Sequence, residues 1–163
     1  MAYRARPDRC VRCAALSAAL VMVVAAMGAA GATSASGPTV QVSAAWVRWL
    51  PASLPAAAYL TLTNTGDHSA VLRGASSTSY RQVSLHRSTT RQGMSAMQPV
   101  AEITLAPHSS LSFAAAGYHI MLQQPTRAVN PGGHVPIALH FADGSSITAL
   151  FEVRRPDAGP ANP

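Results

Sequence analysis

The stretch IALHFADGSSITALFEV, residues 137–153, decides the fold class. Ile137, Leu139 and Phe141 alternate with Ala138 and His140, the two-residue period of a strand with one buried face. Asp143-Gly144 is a hairpin-turn dipeptide, and residues 147–153 resume the strand pattern after it. Working outward, AYLTLTN at residues 58–64 places Tyr59, Thr61 and Thr63 against Leu60 and Leu62, and the following TGDHS supplies a turn. Further strands are predicted at 39–50, 70–75, 83–86, 102–105, 111–113 and 118–122. Short strands about ten residues apart, separated by Gly, Pro and Asn, indicate an all-β sandwich or barrel. No stretch after residue 36 sustains a 3.6-residue period. Trp46 is assigned to the core and Trp49 to a half-exposed position.

The first 35 residues read differently. Arg4, Arg6, Arg9 and Arg12 precede the uncharged run AALSAALVMVVAAMGAA and then small residues, the layout of a secretory signal peptide. An uncleaved anchor is the competing reading, since about 20 apolar residues span a bilayer. The expected organisation is a signal at 1–35, one domain at 36–155 and a flexible tail at 156–163. The expected location is periplasmic or otherwise extracytoplasmic, with membrane contact only if the signal is retained. Cys10 and Cys13 would leave with the signal, so the exported chain would hold no thiolate.

Composition excludes several classes. With 48% hydrophobic and 11% charged residues, this is not a disordered chain. The net charge of +6 suggests a nucleic-acid binder, but four of the Arg lie in the signal. The other eight Arg are scattered against five acids, so no basic stripe forms and no nucleic-acid partner is expected. No G-x-S-x-G, P-loop or H-E-x-x-H occurs, and no close carboxylate pair suggests acid–base work, so no enzyme is expected.

The candidate chemistry lies in His86, ten residues, Met97, twenty-one residues, His119, one residue, Met121. His119 and Met121 are two apart on a predicted strand and share a face. His86 ends another strand, and Met97 lies in or just after the loop 87–96, so a sandwich can bring the donors together at one rim. Two imidazoles and two thioethers form a neutral, soft donor set that selects Cu(I) over zinc, calcium or magnesium. Type 1 copper would require a cysteine ligand. The other histidines read as surface residues, Met94 as a packing or loop residue, and Tyr118 as facing away from His119.

This pattern, H-x10-M-x21-H-x-M, resembles that of the periplasmic copper chaperone family often written PCu(A)C. Flanking text is similar too: AAYLTLTNTGD at 57–67, LHRSTTRQGMSAMQPV at 85–100 and GYHIML at 117–122. The resemblance spans roughly residues 44–154. It implies a cupredoxin-like Greek-key β-sandwich and one Cu(I) site at His86, Met97, His119 and Met121; a monomer is expected. It also implies a chaperone role, with the copper subunit of cytochrome c oxidase or a copper assembly factor as partner. The acidic residues that the family carries between the first His and the first Met are absent here, where Arg87 and Arg91 stand instead. Copper sequestration and a metal-free interaction sandwich are the rival readings.

Overall fold

The computed structural model describes residues 39–51 and 54–157. The proposed signal at 1–35 lies outside the described residues, as does the tail beyond Asp157. Ten strands follow in order: β1 Val40–Arg48, β2 Ala56–Asn64, β3 Ala70–Ser76, β4 Tyr80–Arg91, β5 Met94–Pro99, β6 Ile103–Leu105, β7 Ser109–Ser112, β8 Tyr118–Pro125, β9 His134–Phe141 and β10 Ser146–Arg154. Among the described residues no helix is long and apolar enough to cross a membrane.

The strands join in the order β5-β4-β8-β2-β1-β10-β9-β3-β6, with β7 pairing β2. β1 and β10 run parallel, and the other pairs are antiparallel. β2 links the sheet through both of its halves. Its Ala56–Ala58 end pairs with β8, and its Thr61–Asn64 end pairs with β7. The sheet encloses a core in which Leu60, Leu62, Leu72, Ile120, Leu122, Ile137, Leu139 and Phe151 are fully buried. The expected alternations of 58–64 and 137–141 thus place their aliphatic faces inward. The β9–β10 turn uses Asp143 and Gly144 as expected. Gly144 takes φ +84, and Asp143 Oδ1 accepts from the Ser145 amide and hydroxyl.

Two sequence expectations are corrected. A bulge at Ala44, φ +48, puts two residues of β1, Ala44 and Ala45, against one of β2, Leu60, between Ser43 and Trp46. Beyond it the alternation is inverted. Val47 fills the core, and Trp46 turns to the outer face, where its ring lies 4.8 Å from that of Tyr59. Trp49 is the tryptophan that packs on the core, with Nε1–H donating to the Val129 carbonyl at 2.7 Å. The second correction concerns residues 87–96, expected as a loop. They form most of a β4–β5 hairpin, turned by Gln92 and Gly93 at φ +50 and +76. Two successive positive φ angles are the requirement of a type I′ hairpin turn.

Candidate metal centre

The site is built by register. Directly opposed residues in an antiparallel pair share a face, and so do residues two apart on a strand. His86 on β4 is opposite His119 on β8, and their rings lie 5.8 Å apart. Met121 follows two residues after His119 and is opposite Ser84. Ser88, two beyond His86, is opposite Met97 on β5. All four predicted residues therefore lie on one face of three adjacent strands. That is the outer face: Leu85, Ile120 and Leu122, on the alternate positions, are in the core. The four residues lie on a sheet surface, where the sequence reading expected the rim of the sandwich.

Their burial is graded. His119 is 3% exposed although it faces outward, and it lines a groove of about 310 Å³. Arg48, Leu50, Pro55 and Tyr59, from β1, β2 and the segment between them, line this groove together with Met97, His119 and Met121. His86 is half-buried. Met97 is 51% exposed on β5, which ends the strand order. Met94 is 71% exposed and, three residues from Met97, falls on the opposite face of β5.

Each ring has one engaged nitrogen and one idle one. His86 Nε2 is 3.0 Å from Ser84 Oγ, and His119 Nδ1 is 3.2 Å from the Gly117 carbonyl. His86 Nδ1 and His119 Nε2 are buried with no hydrogen-bond partner. Buried polar atoms are ordinarily satisfied, so two such atoms on opposed rings call for a ligand. Burial lowers the His86 pKa, and repulsion from His119 lowers it further, so its neutral, ligating form is favoured. The Gln123 amide donates to Met121 Sδ at 3.2 Å. Among the described residues no group of three or more His, Cys, Asp or Glu is placed to hold a metal. Met97 and Met121 bring two thioethers to the same face, and thioether donors suit a cuprous ion.

The remaining candidates lie apart. His68, His108, His134 and His140 are exposed; His108 pairs with Asp67 at 2.9 Å, and His140 with Ser76 at 2.8 Å. Tyr118 packs against Phe113 and carries Arg87 above its ring at 5.2 Å. Sequence reasoning missed Ser84 and Gln123. The available signal was their two-residue spacing from His86 and Met121.

These features define a cupredoxin-like β-sandwich of the PCuAC type. The copper-bound PCuAC domain from PmoF2 has the same fold, with a TM-score of 0.61 and 22% identity over 72% of this chain and 94% of that one. The Cu(I) form of DR1885 from Deinococcus radiodurans is 30% identical, with a TM-score of 0.59 over 72% of this chain and 78% of that one. Residues 40–153 match the family described as "Putative lipoprotein LpqE-like", and the chain belongs to that LpqE-like family. A relative from Leifsonia xyli subsp. xyli, named "Putative lipoprotein Lxx21020", is 32% identical over 71% of this chain and 69% of its own length.

Proposed function

We propose that the protein is an exported Cu(I) chaperone. It binds one ion through His86, Met97, His119 and Met121, and passes it to the copper subunit of cytochrome c oxidase or to a copper assembly factor. The observation that carries this reading is the pair of idle, buried ring nitrogens on a face shared with two thioethers. Two PCuAC relatives are described with copper bound, one of them with Cu(I), which supports the choice of cargo. The Arg-led apolar N-terminal run and the lipoprotein names of the family and the Leifsonia relative support export.

The graded burial implies an order of transfer. Met97, on the exposed end strand, is the donor that a partner's ligand replaces first. One new bond to copper forms as the Met97 sulfur bond breaks, and the ion stays cuprous. His119, the most buried donor, releases last. The exported protein should bind one Cu(I) or Ag(I) and bind zinc far more weakly. A His119→Ala/Met121→Leu double variant should lose this binding. Zinc binding as tight as silver binding at neutral pH would refute the ligand set. Oxidase activity of a deletion strain at limiting copper separates delivery from sequestration.

A further inference from the structure

The two imidazoles are anchored by groups of different chemistry. A carbonyl only accepts, so the contact from the Gly117 carbonyl puts the proton of His119 on Nδ1 and leaves the lone pair on Nε2. The same carbonyl accepts the Ser88 amide at 3.0 Å, so both β4 and β8 hold it in place. In His86 the arrangement is reversed. Nε2 faces the Ser84 hydroxyl, and Nδ1 is the buried, unpartnered atom. A hydroxyl donates or accepts and so suits either tautomer.

We propose that Ser84 is a positioning residue that dedicates His86 to copper through Nδ1, so that the ion is held by unlike nitrogens, Nδ1 of His86 and Nε2 of His119. This inference rests on the copper reading above. Nδ1 offers a lone pair only when Nε2 keeps the proton, and Nε2–H then requires an acceptor. Ser84, two residues earlier on the same face of β4, supplies it. Copper therefore selects one of two tautomers that the hydroxyl already tolerates, and the ring need not turn. Without Ser84, water can accept the proton but cannot hold the ring. The imidazole is then free to rotate about its broad χ2 and offer Nε2 instead.

The test uses exported, ¹⁵N-labelled protein with Ag(I) as a redox-inert probe, read by long-range ¹H–¹⁵N correlation. Splitting by silver is expected at Nδ1 of His86 and at Nε2 of His119. In Ser84→Ala the coupling at His86 Nδ1 should weaken or move to Nε2, and Ag(I) affinity should fall about tenfold, the low end for losing an outer-shell partner. Ser84→Thr should restore both. Silver coupling to His86 Nε2 in the wild type would overturn the assignment. So would a Ser84→Ala variant that keeps both the Nδ1 coupling and the affinity. No silver coupling to either ring would overturn the copper reading together with this one.

Discussion

Replacing His119 by Leu should stabilise the metal-free protein and abolish its response to metal. His119 is 3% exposed, and its Nε2 has no partner. A buried, unsatisfied polar atom costs about 1–3 kcal/mol, and leucine, close to histidine in volume, carries no such atom. The loss on the other side is the Nδ1–Gly117 hydrogen bond, worth about 0.5–1.5 kcal/mol net. That carbonyl keeps the Ser88 amide at 3.0 Å, so the substitution creates no new orphan. The balance favours the metal-free variant by about 1 kcal/mol. Ligand at a hundred times its Kd adds about 2.7 kcal/mol to a protein that binds it. The ranking should therefore reverse when Ag(I) is added, because only the wild type gains. Urea unfolding followed by tryptophan emission, with and without Ag(I), measures all four stabilities. A metal-free variant less stable than wild type by about 1 kcal/mol or more would refute the orphan argument. Equal stabilisation by silver would show that His119 is not a ligand.

Three further outcomes can be measured in the same system. Asn64 is fully buried; it donates to the carbonyls of His68 and Ala106 and accepts the Gly66 amide, so Asn64→Ala should cost about 2–4 kcal/mol in urea unfolding and leave silver stoichiometry unchanged. Gln123→Leu should free the Met121 thioether and change Ag(I) affinity severalfold, whereas unchanged affinity would mean that the 3.2 Å contact has no role in holding the donor. The third outcome concerns pH. The His86 pKa is depressed in the folded state, so the unfolded chain takes up the proton first. Metal-free stability should therefore fall as pH drops from about 6.5 toward the depressed value. Cu(I) affinity of the folded protein should be flat above neutrality and decline only as pH falls through that depressed value, where a proton competes for the His86 ring. Substituting Met for both His86 and His119 should remove that slope.

Where one face of a strand is aliphatic and the other polar, its direction could be read without coordinates. Leu60, Leu62, Ile137, Leu139 and Phe141 are buried because the pleat leaves them no other arrangement that hides their side chains. Two places gave no such cue. Ala44 has too little side chain to announce a bulge, and the parity error it introduces moved Trp46 from the predicted core to the outer face. β5 is exposed at every position, so MSAMQP carries no hydrophobic alternation. Its pairing is set by the Gln92-Gly93 turn and by β4 alongside it. A polar hairpin of this kind reads as a loop until the two positive φ angles at its tip are seen.

The site was visible in sequence only as far as residue type and spacing carry. His-x-Met on one strand specifies a shared face with no knowledge of the partner strands. That His86 lies opposite His119, and that Met97 lies opposite Ser88 two pairs further along β4, depends on register, which the spacing of 10 and 21 residues encodes only once the strands are paired. Register also explains why Ser84 and Gln123 escaped notice. Each is a common polar residue, conspicuous only because a pleat sets it beside a donor two residues away. The surface location follows from the same geometry. Core-facing donors would have had to bring copper through the packed layer of Leu85, Ile120 and Leu122. Outer-face donors need only a shallow cover, supplied here by Arg48, Leu50, Pro55 and Tyr59. Were the chain to hold an ion and release it to another protein, as proposed, that cover would serve both tasks. Under the proposed function, the buried end at His119 would shield the metal from water, and the exposed end at Met97 would leave one bond within a partner's reach.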